Sequence, residues 1–191
     1  IGSADVIPLE MIAAYTTFAN LGSRTMPNGI LRVEDRSGKI VWQPSVRSVA
    51  VMDTLHAWLI TDALRDVVRH GTAVGTLGSR INFPAGGKTG TTNDGNDVWF
   101  IGFTPDMVTG IWIGFDQPQK IKANAQGGVL VGPAWSAMMK EVYERRTIPG
   151  AWSRPPGLTA LDVDKTTKAN DDRGVTFKLP SPPKKSAEKS P

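Results

Sequence analysis

Apolar residues recur at helical spacing in three stretches of the chain and at strand spacing in five shorter ones. Leu9, Ile12, Ala13, Phe18 and Leu21 predict a first helix that begins at Pro8, a favourable first-turn position, and ends at Asn20 and Gly22. Residues 29–34 and 39–42 alternate around Asp35-Arg36-Ser37-Gly38 and read as a hairpin. A long amphipathic helix follows from about Met52 to His70, with Leu55, Trp58, Leu59, Ala63, Leu64, Val67 and Val68 as its stripe and Gly71 as its stop. The glycine-rich stretch 71–87 reads as loop. Lys88–Thr92, Asp97–Thr104 and Met107–Phe115 are strand candidates, joined by Asn93-Asp94-Gly95-Asn96 and by a tight Pro105-Asp106 turn. Connections this short imply an antiparallel meander. Val98-Trp99-Phe100-Ile101 and Ile111-Trp112-Ile113 are apolar on both faces, so helices should cover the sheet on both sides. A last helix runs from about Pro133 to Arg146.

Beyond Gly150 the periodicity fades. The expected organisation is a body over residues 1–150, an extension over 151–177 and a disordered Pro/Lys-rich tail over 178–191. The net charge of +4 belongs mostly to that tail. Lys178, Lys184, Lys185 and Lys189 against Glu188 put +3 in the last fourteen residues, leaving about +1 for the body. A nucleic-acid partner is therefore not expected. With no cysteine among 191 residues, disulfides, thiolate metal sites and a cysteine nucleophile are excluded. His56 and His70 stand fourteen apart without clustered carboxylates, so no metal is expected, and no cofactor motif occurs. The opening Ile1-Gly2-Ser3-Ala4-Asp5 has no initiator Met and no signal core, and reads as an internal cut in a longer protein. No apolar run approaches the ~20 residues of a membrane span.

Chemistry concentrates in Gly86-Gly87-Lys88-Thr89-Gly90-Thr91-Thr92. A phosphate loop would need a glycine at position 82, which is Asn, and a helix immediately after; Gly90-Thr91-Thr92-Asn93-Asp94-Gly95 is poor helix material. That leaves a glycine-loosened loop with a solvated lysine, or one wall of an acyl-transfer site. In the second reading Thr89 and Thr91 share one face of a strand and Lys88 begins the other. An exposed edge there could pair with an extended peptide, Gly90 leaving clearance for it. Lys88 and the two hydroxyls would meet a carboxylate, and an amide just past Gly90 could stabilise an oxyanion.

The surrounding strings favour the second reading. They run from Ile7-Pro8-Leu9-Glu10-Met11 through Phe18-Ala19-Asn20-Leu21-Gly22, Leu64-Arg65-Asp66-Val67-Val68 and Gly71-Thr72-Ala73 to Lys88-Thr89-Gly90-Thr91-Thr92-Asn93-Asp94. Asp97-Val98-Trp99-Phe100-Ile101-Gly102-Phe103-Thr104-Pro105 and Trp112-Ile113-Gly114-Phe115-Asp116 complete them. From Ile1 to about Arg146 the chain resembles the C-terminal part of the transpeptidase domain of class A (bifunctional) penicillin-binding proteins.

The resemblance implies a partial β-lactamase/transpeptidase-like α/β (α+β) domain, an antiparallel sheet covered by helices, to which the intact domain adds two strands. It implies a serine-type D-Ala-D-Ala transpeptidase in the parent protein, acting on peptidoglycan stem peptides and trapped by β-lactams. Its place would be the periplasmic face of the cytoplasmic membrane, held there by an anchor outside this chain. By motif match, Lys88 and Thr91 would be the catalytic contributors, Lys88 for the carboxylate and proton network and the Thr91 amide as an oxyanion donor. Thr89, Gly90 and Thr92 would line the substrate.

Two parts of the family's machinery do not appear. Ser-x-x-Lys occurs only as Ser181–Lys184 and Ser186–Lys189, in the tail and on the wrong side of Lys88, and no Ser-x-Asn exists. The expectation is a fragment inactive on its own, needing the other half of its domain and unstable or partner-dependent through exposed apolar surface. A non-catalytic peptidoglycan- or partner-binding module is the alternative.

Overall fold

A computed structural model describes residues 5–78, 80–160 and 177–178. The chain divides into two compact units, Ile1–Trp152 and Ser153–Pro191. In the second unit a short antiparallel pair joins β8 (Thr159–Ala160) to β9 (Phe177–Lys178), and the rest of the expected tail lies outside the described residues.

In the first unit, α1 spans Pro8–Ala19, with proline in the first turn as the sequence predicts. It ends through Leu21 at φ 48° and Gly22 at φ 116°; a Cβ on Gly22 would lie 2.3 Å from the Met52 carbonyl oxygen, so only glycine fits. Leu9, assigned by periodicity to the buried stripe, is instead exposed. The chain then forms β1 (Ser23–Thr25), the β2–β3 hairpin (Val33–Glu34 with Ile40–Trp42) and β4 (Ser48–Ala50). β4 returns to pair with β1, a two-stranded ladder that the pattern did not reveal.

Helix α2 spans Thr54–Arg69, capped by the Asp53 carboxylate, which accepts from the amides of Leu55 and His56. Its buried face is Ala57, Trp58, Thr61, Arg65 and Val68, whereas Ala63 is exposed. The rotation has a polar cause. The Thr61 hydroxyl donates to the Phe18 carbonyl at 2.9 Å, and Arg65 pairs with Asp62 at 2.8 Å while lying over the Trp152 ring. The Thr61 bond lets that hydroxyl be buried at little cost, while Arg65 is offset by the Asp62 pair even though its Nε is buried without a hydrogen-bond partner. The stretch predicted as loop holds a π-helical turn at Val74–Gly78, and its last two residues already belong to the sheet.

That sheet is the centre of the fold. β5 (Gly86–Thr91), β6 (Val98–Thr104) and β7 (Met107–Ile113) form an antiparallel meander in the order β5-β6-β7. Of the seven β6 residues only Trp99 is not fully buried. One face packs Val98 and Phe100 against Trp135, Met139 and Tyr143 of α4 (Gly132–Glu144), together with Leu77 and Phe83. The other face meets α1, whose Ile12 lies over Gly110 and whose Tyr15 approaches Phe103. Trp152 closes this side, its ring against Phe103 and its indole N–H donating to Ala19. A short helix α3 (Gly127–Leu130), absent from the sequence reading, precedes α4. No helix among the described residues is long and apolar enough to cross a membrane.

Candidate functional site

The register of β5 on β6 fixes where each candidate residue projects. Lys88 lies opposite Ile101, and Gly90 opposite Trp99, so Lys88 and Gly90 belong to the α1 face. Thr89 lies opposite Phe100 and Thr91 opposite Val98, so both threonines project to the α4 face. Period-two alternation starts the Lys88 side chain and the hydroxyls on opposite faces, but the Lys88 Nζ folds back to the strand edge at the Thr89 carbonyl, 2.8 Å away.

β5 is an edge strand, open over only part of its length. Gly86 and Gly87 are buried and α2 packs against the strand, while Lys88 and Thr91 are exposed and Thr89 and Gly90 half-buried. The Lys88 Nζ is solvent-accessible and donates to the Thr89 carbonyl at 2.8 Å. A cavity of about 290 Å³ opens nearby, between the end of α2, the π-helical turn and the lead-in to β5. Val68, Val74 and Phe83 line it, and Lys88 does not.

The hydroxyls are held from the other side. Thr72, in the loop after α2, brings its Oγ1 to 3.2 Å from Thr89 Oγ1. The Gly127 amide donates to Thr91 Oγ1 at 3.0 Å. Gly127 sits so close to the strand that a Cβ there would lie 2.4 Å from the Trp99 oxygen and 2.5 Å from the Gly90 oxygen. Thr92 serves the turn, its Oγ1 accepting from the amides of Asn96 and Asp97 at 3.0 and 2.9 Å. Thr72 and Gly127 had no role in the sequence reading; a hydroxyl directly after the glycine that stops α2, and a Gly-Gly pair ahead of α4, were the available signals.

Two neighbours complete the surroundings. Trp99 and Trp112 are cross-strand partners with ring centroids 6.3 Å apart, and the Trp112 indole donates to Asp97 at 2.9 Å. Periodicity suggested core positions for both, yet Trp112 is 42% exposed. At the far end of the sheet, Asp106 accepts from Thr104 and Tyr143 and faces Arg146 at 3.4 Å. Burial pushes the Asp106 carboxyl up, but these hydrogen bonds and the Arg146 charge hold it below the usual carboxylate range. Burial, together with the hydrogen bond to Asp106, raises the Tyr143 phenol to about 12.

Chemically, the edge offers an exposed ammonium, a stretch of open strand backbone and hydroxyls beside it. Such a set can pair with an extended peptide and bind its terminal carboxylate. Among the described residues no group of three metal-ligating side chains comes together.

Comparison with known proteins agrees with the architecture. Residues 1–140 match the family model of the penicillin-binding protein transpeptidase domain. Penicillin-binding protein 1A of Neisseria meningitidis serogroup A is 34% identical over 184 residues, covering 93% of this chain and 23% of the relative. Penicillin-binding protein 1A of Aquifex aeolicus is 36% identical over 142 residues, covering 74% of this chain and 19% of the relative. The crystal structure of Penicillin-Binding Protein 1A from Haemophilus influenzae superposes with a TM-score of 0.74 at 24% identity, covering 92% of this chain and 32% of that one. The chain thus spans about a fifth of the length of the curated relatives it matches.

Proposed function

The chain belongs to the penicillin-binding protein transpeptidase domain family, and from that membership we propose that it supplies the substrate-binding edge of a serine-type D-Ala-D-Ala transpeptidase. The observation that carries the reading is the juxtaposition on one open edge strand of an exposed Lys88 and the hydroxyls of Thr89 and Thr91. A stem peptide adds to the β5 edge, Gly90 leaving room for its backbone. Its terminal carboxylate takes charge-assisted hydrogen bonds from Lys88 and the threonine hydroxyls.

The nucleophile comes from the rest of the parent protein. Its serine oxygen attacks the carbonyl of the penultimate D-Ala, the Thr91 amide helps hold the oxyanion, and the terminal D-Ala leaves with a proton. An amine of a neighbouring stem then attacks the ester, forming the cross-link and restoring the serine. β-Lactams enter as donor mimics. Residues 1–150 would form the C-terminal portion of this domain. The parent works at the periplasmic face of the cytoplasmic membrane, attached through a membrane anchor.

The lack of Ser-x-x-Lys or Ser-x-Asn anywhere N-terminal to Lys88 favours a second reading, a peptidoglycan- or partner-binding module without catalysis. Labelling with fluorescent penicillin separates them. The full-length parent should label covalently, and Lys88→Ala should abolish the label. The 191-residue chain alone should take none. A folded parent that never labels would leave only the binding module, and a stable adduct on the isolated chain would overturn the assignment of the nucleophile to the rest of the protein.

A further inference from the structure

On the α4 face of β5 the hydroxyl protons can be counted. Each threonine hydroxyl has one proton to donate and two lone pairs to accept with. Thr91 Oγ1 accepts from the Gly127 amide, which leaves the Thr91 proton for something else. The Thr72 and Thr89 hydroxyls lie 3.2 Å apart, and whichever donates, their mutual bond uses one of two protons and leaves one. Two O–H donors therefore remain, and Thr72 and Thr91 are exposed with Thr89 half-buried, so a ligand can reach them. A carboxylate has two oxygens to receive them.

The hydroxyls are held in place by a glycine pair. A Cβ on Gly128 would lie 2.8 Å from the Thr72 carbonyl oxygen and 3.3 Å from Thr89 Cγ2, while Gly127 lies against the Gly90 and Trp99 backbone. The pair fills the space over β5 between the Thr72 loop and Thr91. We propose that Thr72 and Gly127 are positioning groups, Thr72 donating the shared bond so that Thr89 keeps its proton, and that they preset Thr89 and Thr91 as hydroxyl donors to the carboxylate of the ligand. This inference rests on the reading of the β5 edge as a carboxylate site. Thr72 need not touch the ligand to act, since its bond removes the rotational freedom of the Thr89 hydroxyl before binding.

The test is an NMR titration of the 191-residue chain with N-acetyl-D-Ala-D-Ala and with its C-terminal amide, which lacks the carboxylate. Thr72→Val should weaken binding of the acid roughly three- to tenfold, the range for loss of one hydrogen bond, and leave the amide unchanged. Thr72→Ser should restore the acid, and Thr91→Val should behave as Thr72→Val. Acid affinity unaffected by Thr72→Val, or unrescued by Thr72→Ser, would overturn the proposal. If the unaltered chain fails to prefer acid over amide, the carboxylate reading of the edge falls. The positioning claim is then decided without ligand, by side-chain scalar couplings of Thr89. A single χ1 in the parent sequence and in Thr72→Ser, averaged in Thr72→Val, supports it; an unchanged χ1 in Thr72→Val refutes it.

Discussion

Strand β6 and the β2–β3 hairpin are written in the same apolar alphabet and meet opposite fates. In β6, Val98, Phe100 and Phe103 are each 0% exposed, because α4 covers one face and α1 with Trp152 the other. From Met26 to Val51 every residue except Pro44 is exposed, including Leu31 at 81%, Val46 at 75% and Trp42 at 50%. Local pattern made both into strands. Burial depended on whether a helix came back over them, and none of the described elements covers the hairpin. The difference separates what holds this unit together from what it leaves on the surface, where apolar area of this extent is unusual.

The comparison can be broken most forcefully on the β6 side. Trp135 is fully buried against Phe83 and Phe100, and its indole N–H donates to Thr109 at 2.6 Å. Trp135→Ala should cost about 3–5 kcal/mol in denaturant unfolding. A loss below 1 kcal/mol would mean the α4 face is not the stabilising core. Next comes the lock between α4 and the β6–β7 turn. Tyr143→Phe removes the phenol that donates to Asp106 and should cost about 1–3 kcal/mol.

The pH dependence of that lock has a definite sign. Asp106 titrates below its unfolded value, so its contribution is present above about pH 4 and is lost as pH falls through the lower folded value. Tyr143 is raised to about 12, so its contribution persists through pH 10 and is lost as pH rises through 12. Asp106→Asn should flatten the acid limb of a stability profile; an unchanged limb would assign the acid sensitivity elsewhere. Smallest is the hairpin. Trp42→Ser should move folding stability by no more than about 0.5 kcal/mol while lowering binding of an apolar dye. A large destabilisation would show that the hairpin is covered after all.

How much of this could be read beforehand follows from the same contrast. The meander was legible because two tight turns, Asn93-Asp94-Gly95-Asn96 and Pro105-Asp106, leave its strands no other pairing. The ends of α1 and α2 were legible through Pro8, Gly22 and Gly71. The buried face of α2 was not, because Thr61 and Arg65 are buried through hydrogen bonds that no hydropathy pattern registers. The β1–β4 ladder joins residues some 25 apart with no alternating signal in either three-residue strand. At the candidate site, alternation correctly set Thr89 and Thr91 against Lys88. Thr72 and Gly127 escaped notice because they reach β5 from a loop and from the start of α3, about 17 and 36 residues away in sequence.

On the proposed reading, the margin of β5 grips a carboxylate through Lys88. Chemical-shift mapping of the 191-residue chain with N-acetyl-D-Ala-D-Ala tests it most directly. The largest amide shifts should fall on Lys88 to Thr92, and Lys88→Ala should weaken the affinity by about tenfold or more, as expected for loss of a hydrogen bond to a charged group. Shifts centred elsewhere, or an affinity indifferent to Lys88→Ala, would contradict it.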